Sequence, residues 1–399
     1  MSIKPHSVAY IIESLAGIGG AERQMVELIR HLDQSVVRPR VLSYCPGNYF
    51  ADVLGEAGVP VVIQPKMSKF DLGPVGQLTA WLQSGEVDII HAYLYTPSFY
   101  AVLARVLSGR GKVVASERTT LFGTKGLSRL YMPWTYRHAD LTIANSAVAR
   151  ADLLKRLRLD PNRVLFIPNG LDLSRFCPVP DLERSALRRK FGWQQSERVL
   201  LVVGNVRPDK NPLGLLDALK GVDLQCLSLR FCWVGQINSQ AHFKIVKKRI
   251  ESMSLGSAFQ FLGPRRDVLD FYRASDALVL NSVLEGTPNV VVEALACELP
   301  VLATDVSDVR TYVVPGETGW LIPPSDVPAL RRALVELAQT DATKLRSLGN
   351  RGRRHLAQLQ LEPASLARRY EEVYANLVSA SHLRSASTAA APESSGNGI

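Results

Sequence analysis

Short apolar runs that alternate with amphipathic segments constrain this chain more than any other feature. The run SVAYIIES at residues 7–14 precedes ERQMVELIRHL, whose apolar residues fall on one face of a helix. The same order returns at RPRVLSY, PVVIQP, VDIIHAY, KVVASE, DLTIANS and RVLFIPNG. Strands that alternate with helices predict the α/β class, with a parallel sheet covered on both faces.

The pattern restarts after the charged segment PVPDLERSALRRKFGWQQSE. The runs RVLLVVGNV, LSLRFCWVG, AFQFLG, DALVLNS and PVLATD predict the strands of a second unit. At roughly 100–200 residues per domain, 399 residues fit two domains. We predict two α/β domains over residues 1–180 and 181–362, a terminal helix over 363–380, and a disordered tail over 381–399.

The composition excludes several classes of protein. A content of 46% hydrophobic and 21% charged residues is typical of globular chains with sizeable cores. No run approaches the roughly 18 apolar residues of a spanning helix, and the first residues lack a signal-peptide pattern, so we expect a cytoplasmic protein. Five scattered cysteines predict free thiols rather than a disulfide framework or a zinc site: Cys45, Cys177, Cys226, Cys232 and Cys297.

Positive charge is concentrated in one part of the chain. The net charge is +10, and residues 105–175 hold thirteen Lys or Arg against five Asp or Glu. Such an excess fits a nucleic acid, an anionic membrane or an anionic substrate, and a solvated surface is the alternative. No nucleic-acid motif accompanies the charge, so we predict an anionic membrane surface or a lipid-phosphate partner, and no nucleic-acid partner.

The segment LEGTPNVVVEALA carries two glutamates around a helix start. Thr287 predicts an N-cap and Pro288 the first helical position, so Glu285 lies in a loop and Glu293 inside the helix. The amides of residues 286–289 would favour an anion at the carboxyl end of the preceding strand. The alternative is an exposed Glu285 and a Glu293 paired with a neighbouring base, and the segment alone leaves both interpretations open.

Two further loops follow predicted strands. In GNVRPDKNP, Arg207 and Lys210 flank a turn and predict a phosphate clamp, although two surface cations are the simpler interpretation. In GIGGAE, Gly19 and Gly20 permit close approach to a phosphate or a sugar. This glycine turn lacks the spacing of the dinucleotide fingerprint, so it is weak evidence by itself.

Two polar residues end other predicted strands of the first domain. His91 closes VDIIHAY, where an imidazole could donate to a sugar hydroxyl or serve a structural role, and Arg118 follows KVVASE. The sequence holds no nucleophile elbow, no P-loop, no zinc motif and no Asp-x-Asp metal motif ahead of a cleft.

Together these segments resemble one family. GGAER, IPNGLD, GNVRPDKNP and the long segment that starts at FLGPRRDVLDFYRASDALVLNSVLEGTPNVVVEALA, in this order, are similar to the retaining glycosyltransferases of family 4. The similarity is densest over residues 199–326 and extends loosely back to residue 11. The resemblance implies the GT-B fold, in which two Rossmann-like domains face each other across a cleft. It implies that the domain over residues 1–180 lies on the acceptor side, that the domain over 181–362 binds the nucleotide sugar, and that the helix over 363–380 crosses back to the first domain.

The resemblance also implies roles for individual residues. Glu293 would hold the ribose of a sugar nucleotide, Arg207 and Lys210 would neutralise its diphosphate in place of a metal, and Glu285 would touch the sugar. The helix start would face the donor through Gly286, Thr287, Pro288 and Asn289. In the first domain, Gly19 and Gly20 would approach the diphosphate, and His91 would lie near the reacting face of the sugar. Arg118 would lie on the acceptor side.

The implied activity is transfer of a hexose or an N-acetylhexosamine, with retention of configuration, from a UDP- or GDP-sugar to a hydroxyl of a lipid-linked or polysaccharide acceptor. No metal and no cofactor would be required, and the enzyme would sit in the cytoplasm or peripherally on the inner face of the cytoplasmic membrane. A nucleotide-sugar epimerase or hydrolase of the same fold and a non-catalytic nucleotide-sugar-binding scaffold are the alternatives.

Overall fold

The computed structural model describes residues 5–17, 19–68, 71–118 and 128–389. The chain forms two compact units: Met1–Asn145, Ala149–Gly170 and Pro363–Ile399 make the first, and Ser146–Val148 and Leu171–Glu362 make the second. The main division falls after Gly170, ten residues before the predicted boundary at 180. Leu171 lies in the core of the second unit, and its amide donates to the Leu361 carbonyl at 2.9 Å, which fixes the earlier boundary.

The described part of the first unit contains a seven-stranded parallel sheet in the order β3-β2-β1-β4-β5-β6-β7. Its strands are β1 His6–Ile12, β2 Val37–Ser43, β3 Val61–Ile63, β4 Ile89–Tyr93, β5 Lys112–Glu117, β6 Leu141–Ala144 and β7 Val164–Phe166. The connecting helices are α1 Gly20–His31, α2 Tyr49–Glu56, α3 Gly73–Gln83, α4 Tyr95–Ser108, α5 Ser128–His138 and α6 Ala147–Leu157. The central strand β4 is buried along its whole length because helices cover both faces of the sheet.

The described part of the second unit contains a six-stranded parallel sheet in the order β10-β9-β8-β11-β12-β13. Its strands are β8 Arg198–Val203, β9 Leu229–Val234, β10 Phe259–Gly263, β11 Ala277–Leu280, β12 Val301–Thr304 and β13 Gly319–Ile322. The helices are α7 Asp181–Lys190, α8 Pro212–Ala218, α9 Gln240–Ser252, α10 Val268–Ala274, α11 Asn289–Ala296, α12 Val309–Tyr312, α13 Val327–Gln339 and α14 Ala342–Gln358. This strand order is that of the Rossmann fold, and the first sheet extends it by one strand.

The predicted fold class is confirmed, since every apolar run named above contains a strand of one of the two parallel sheets. The sequence pattern missed β13, a half-buried edge strand of four residues between Gly319 and Pro323. Four residues are too few to show the alternation by which a strand is recognised, and the flanking glycine and proline indicate a turn.

The terminal helix α15 spans Pro363–Ala389 and belongs to the first unit, where it packs against α1. Leu366, Tyr370 and Tyr374 enter the core of that unit. The helix runs nine residues past the predicted end at 380, into a segment predicted to be disordered; its alanines favour helix. Residues 390–399 of the predicted tail lie outside the described residues. No helix in the described part of the chain is long and apolar enough to cross a membrane.

Candidate functional site

The order of the second sheet reverses between β8 and β11, which are neighbours although three connections separate them in sequence. At such a switch point, the loops at the carboxyl ends of the two strands leave a crevice in which ligands bind. The loops after β8 and β11 are joined here: the Val283 amide donates to the Asp209 carbonyl at 2.8 Å, and the Asn281 side-chain amide donates to the Asn211 carbonyl at 3.0 Å. The predicted donor-site segments therefore meet at one edge of the sheet.

The loop after β8 is shaped to present Lys210. Residues Pro208–Lys210 form a single 3₁₀ turn, and Asn211 then adopts a left-handed conformation and caps α8 by accepting from the Gly214 amide at 3.1 Å. At Gly204, where φ is +150°, an added Cβ would lie 3.3 Å from Cε of Lys210. Glycine at this position thus leaves the room in which the lysine stem lies.

Lys210 and Glu285 form an ion pair at the switch point, with the Lys210 ammonium donating to Oε1 of Glu285. The two side chains are only 16% and 11% exposed. Ser282 also donates to Oε1 of Glu285, at 2.5 Å, which orients the carboxylate. A cation screened from water acts more strongly on a nearby anion than an exposed one, so this pair is the electrostatic centre of the edge.

Arg207 does not join that pair. Its side chain is 48% exposed and donates from Nη2 to Oδ2 of Asp209 at 2.5 Å. The structure therefore brings together Lys210 and Glu285, and it places Arg207 in a solvent-facing pair on the same loop. A partly exposed guanidinium held by one carboxylate can turn toward an arriving phosphate at little energetic cost.

The start of α11 differs from the prediction by one residue. Pro288 has φ −82° and ψ 63°, and the Asn289 amide donates to the Thr287 carbonyl at 2.9 Å, which is an inverse γ-turn. The helix consequently begins at Asn289, and Pro288 rather than Thr287 occupies the N-cap position. Ser307 fixes the preceding backbone by donating to the Gly286 carbonyl at 2.5 Å.

Glu293 lies inside α11 and is 4% exposed, whereas Glu285 lies in the loop before it, as the sequence indicated. Tyr272 of α10 donates its hydroxyl to Oε2 of Glu293 at 2.7 Å. This hydrogen bond orients the carboxylate of Glu293.

The glycine turn of the first unit leads directly into α1. Gly19 is the N-cap residue, with φ −95°, and Gly20 is the first helical residue. An added Cβ at Gly19 would meet Glu22 at 3.5 Å, which is an ordinary contact. Neither the backbone angle nor the packing demands glycine at this position, and the close approach of a ligand to Gly19 and Gly20 stays a prediction.

His91 is fully buried in the middle of the first sheet, and both of its ring nitrogens have partners. Nδ1 lies 2.6 Å from the Tyr374 hydroxyl, and Nε2 lies 2.7 Å from the Ser116 hydroxyl. Burial, together with the nearby charge of Arg118, holds the pKa of His91 well below its usual value, so the ring is neutral. The structure thus gives His91 a core role and does not place it at a surface that a sugar can reach.

Arg118, predicted on the acceptor side, is 8% exposed. Its Nη1 donates to Oδ1 of Asn169 at 2.7 Å, its Nη2 donates to the Tyr370 hydroxyl at 3.1 Å, and its guanidinium lies 4.6 Å from the ring centroid of Tyr93. Gln24 of α1 holds the neighbouring loop through two hydrogen bonds with Gly170, both of 2.8 Å. These contacts make Arg118 a link between the sheet, the IPNG turn and α15.

Sequence reasoning missed the residues that position the site. Tyr272, Ser282 and Ser307 orient Glu293, Glu285 and Gly286 through single hydrogen bonds. Tyr272 lies 21 positions from its partner, a separation that no helix or strand period brings together. Tertiary structure creates that contact, because Tyr272 and the buried face of α11 lie in the same hydrophobic core. In the described part of the chain, no three His, Cys, Asp or Glu side chains group in a way that could hold a metal ion.

Family models assign the chain to a class of enzyme, the glycosyltransferases. A family model described as Glycosyl transferases group 1 matches residues 183–355, which include both glutamates and both loop cations, and one described as Glycosyltransferase Family 4 matches residues 18–175. Together the two models span most of both units, and the chain belongs to this family of glycosyltransferases.

Individual relatives agree with this assignment. A UDP-Gal:alpha-D-GlcNAc-diphosphoundecaprenol alpha-1,3-galactosyltransferase of Escherichia coli is 24% identical over 75% of this chain and 79% of its own length. A D-inositol 3-phosphate glycosyltransferase of Kineococcus radiotolerans is 30% identical over 54% of this chain and 53% of its own length, so that match spans about half of each protein.

A solved structure shows the same fold across most of the chain. The structure of Anabaena HepE in complex with UDP-glucose superposes with a TM-score of 0.81 and 21% identity, covering 93% of this chain and 99% of that one. At this identity the likeness establishes the fold alone, which is the two-domain GT-B architecture.

Proposed function

We propose that the chain is a retaining, metal-independent glycosyltransferase that moves a hexose or an N-acetylhexosamine from a UDP- or GDP-sugar to a hydroxyl of a lipid-linked or polysaccharide acceptor. The observation that carries this proposal is the screened Lys210–Glu285 pair at the switch point of the second sheet, beside the start of α11. The similar proteins described above support UDP as the nucleotide, since they include a UDP-Gal transferase and a protein in complex with UDP-glucose.

The charges of the site suit departure of a nucleoside diphosphate. Breaking the sugar–phosphate bond develops negative charge on the leaving phosphate. Lys210 would take this charge at the switch point, Arg207 would swing in from its exposed position, and the backbone from Gly286 to Asn289 would add the dipole of the α11 start. Two side-chain cations would then do the work for which other transferases use a divalent metal.

Glu285 and Glu293 would divide the recognition of the donor. Glu293 is buried and oriented by Tyr272, so it can accept from the two ribose hydroxyls without moving. Glu285 lies in the loop beside Lys210 and would accept from hydroxyls of the transferred sugar. Charged acceptors make stronger hydrogen bonds to hydroxyls than neutral ones, which favours carboxylates for both tasks.

Retention is proposed to occur by front-side attack. A double displacement needs a carboxylate nucleophile beneath the anomeric carbon, whereas the proposal assigns Glu285, whose Oε1 accepts from Lys210 and Ser282, to the hydroxyls of the sugar. The acceptor hydroxyl would therefore attack on the face that the phosphate leaves. A departing phosphate oxygen would take the proton of that hydroxyl, so that the C–O bond forms as the sugar–phosphate bond breaks.

The acceptor is proposed to be held at a membrane surface. In the basic region 105–175, Val106, Leu107 and Leu130 are 52%, 60% and 77% exposed on the neighbouring helices α4 and α5. Exposed apolar side chains among cations suit peripheral binding to anionic lipids. The name of the Escherichia coli relative, with its diphosphoundecaprenol acceptor, supports the same interpretation.

The direct test is a transfer assay with UDP- and GDP-sugars and a synthetic polyprenyl-diphosphate glycan in the presence of EDTA. We expect a new glycoside, and its anomeric coupling constant in proton NMR should match that of the donor. Release of free sugar or of an epimer at the same rate with and without acceptor would instead identify a hydrolase or an epimerase.

The membrane part has its own test. Binding of the full chain to anionic vesicles at low salt should weaken in Leu130→Asp and stay unchanged in Leu182→Asp, a matched change at an 80% exposed leucine of the second unit. Equal binding of both variants and the wild type, or no binding at all, would remove the membrane from the proposal.

A further inference from the structure

A cluster of tyrosines surrounds Lys66 at the carboxyl edge of the first sheet, apart from the residues assigned above. Tyr44 directly follows β2, and Lys66 lies shortly after β3. The Lys66 amide donates to the Tyr44 carbonyl at 3.1 Å, so the two loops run side by side. Tyr100 reaches the same place from α4, which begins just after β4. Ligands of open α/β sheets bind at this edge.

The Lys66 ammonium is enclosed by aromatic groups. Nζ donates to the Tyr100 hydroxyl, and it lies 4.9 Å from the ring centroid of Tyr100 and 5.4 Å from that of Tyr44. The two rings meet edge to face with centroids 5.5 Å apart. Ring faces attract a cation at these distances, so the two tyrosine rings hold the Lys66 ammonium in a defined position.

Tyr44 carries an unsatisfied polar group in this cluster. Its side chain is 3% exposed, and among the described residues its hydroxyl has no hydrogen-bond partner. A buried hydroxyl without a partner destabilises a fold, and such groups recur where a ligand supplies the missing contact. An oxygen-rich ligand beside Lys66 would satisfy this hydroxyl.

A second wall of the cluster offers a flat surface with hydroxyls. Tyr131 of α5 is half-buried, its ring packs 4.7 Å from that of Phe99, and its hydroxyl lies 3.2 Å from Oγ1 of Thr96. Aromatic rings that expose a face and a hydroxyl suit the alternating apolar and polar faces of a sugar ring. The Phe99 ring lies 6.1 Å from that of Tyr100, and the charge of Lys66 acts on the Tyr131 hydroxyl, so the cation and the aromatic wall lie within one region of the first unit.

We propose that Lys66, Tyr44, Tyr100 and Tyr131 form the acceptor subsite and that it takes a sugar carrying a phosphate. The ammonium and the phenol hydroxyls hold the phosphate oxygens, and the aromatic wall carries the sugar ring. The inference rests on the proposed glycosyltransferase function and deepens it by naming the chemistry of the acceptor. Two sources share that chemistry, a free sugar phosphate and a lipid-linked sugar diphosphate.

The first experiment is calorimetric titration of inorganic phosphate into the full chain, with UDP at saturation so that the phosphate site of the second unit is filled. We expect Lys66→Gln to weaken phosphate binding about tenfold, because it removes a charge-assisted hydrogen bond. Tyr100→Phe, which removes only the hydroxyl, should weaken it by roughly two- to fivefold. The matched control Lys155→Gln, at an exposed lysine of α6, should bind phosphate like the wild type.

Phosphate binding that is equal in the wild type, Lys66→Gln and Tyr100→Phe would overturn the subsite, as would the absence of phosphate binding to the wild type. Melting temperatures of the variants distinguish ligand binding from a purely structural role of Lys66 and Tyr100. If the role is structural, the variants melt at lower temperature but the folded protein still binds phosphate normally. A failure of UDP to bind would count against the donor site instead, and the dependence of phosphate binding on Lys66 can then be measured without UDP.

The source of the phosphate follows from two further titrations. Glucose 1-phosphate and a short-chain prenyl diphosphate glucose are compared in the wild type and in Lys66→Gln. Tighter binding of the prenyl diphosphate, lost in Lys66→Gln, assigns a lipid-linked acceptor, and the opposite order assigns a free sugar phosphate. If both compounds bind Lys66→Gln as tightly as the wild type, the result would contradict the proposal.

Discussion

The two sheets share a strand order, yet their carboxyl edges at the switch point are built differently. In the second unit the edge carries loop residues. Lys210 and Glu285 are largely shielded from water but keep a small exposed surface, and Arg207 faces solvent. In the first unit the strand next to the switch point carries His91, which is wholly buried and bonded through both ring nitrogens. The same topology therefore supports an adaptable charged site in one unit and a rigid polar core in the other.

The difference shows that position in a fold does not by itself assign function. A polar residue at the carboxyl end of a strand can face a ligand or be buried under a helix. Here Tyr370 and Tyr374 of α15, the last helix of the chain, contact Arg118 and His91 in the core. The experiments below test whether the two edges differ in this way.

The largest effect is expected at the charged edge. Lys210→Ala should lower kcat of sugar transfer at least 100-fold, because removing one preorganised donor to a developing negative charge costs about 3–4 kcal/mol. The control is Lys220→Ala, an exposed lysine paired with Asp217 in the same unit, which should transfer sugar normally. Initial rates at saturating donor measure the effect, and wild-type rates in Lys210→Ala would end the role assigned to this cation.

Glu293→Gln should raise KM for the nucleotide sugar about tenfold, since a charge-assisted hydrogen bond is worth roughly 1.5–3 kcal/mol. The amide can still accept from Tyr272, so the melting temperature should change little. Glu336→Gln, on the exposed face of α13, is the matched control. A KM indistinguishable from that of the control would mean that Glu293 has a structural role, like His91 in the first unit.

The polar core of the first unit should respond in the opposite way. Tyr374→Phe removes the hydroxyl that contacts both His91 and Tyr10, and we expect it to lower the free energy of unfolding by about 1–2 kcal/mol. Affinity for UDP should be unchanged. Urea unfolding and UDP titration measure the two quantities, and a loss of UDP affinity without a loss of stability would contradict a structural role.

The smallest effect concerns pH. The folded-state pKa of His91 is depressed by burial, so the unfolded chain binds the proton first and stability contributed by the neutral ring is lost as pH falls below the unfolded value near 6.5. Between pH 6.5 and 5.5 the wild type should lose about 1 kcal/mol more stability than His91→Gln. Parallel pH profiles for the two proteins would show that His91 takes up a proton without unfolding.

The sequence predicted the architecture because it depends on local pattern, and of the predicted donor-site residues the structure pairs Lys210 with Glu285 and leaves Arg207 facing solvent. Alternating apolar runs define the strands, and the loop cations and glutamates follow strands that are easily recognised. The start of α11 was misplaced by one residue because the γ-turn at Pro288 depends on a dihedral angle that proline does not fix. His91 could not be assigned, since its partner Tyr374 lies 283 residues away on a helix whose docking no local pattern specifies.

The central claim is that Lys210 serves a nucleotide-sugar site that needs no metal. The most direct measurement is the thermal shift of the full chain with a panel of UDP- and GDP-sugars, with and without EDTA, in the wild type and in Lys210→Gln. Because a ligand that binds only the folded state raises apparent stability, we predict a shift with one donor that persists in EDTA and is strongly reduced in Lys210→Gln. A shift that vanishes with EDTA, or one that is unchanged in Lys210→Gln, would contradict the account.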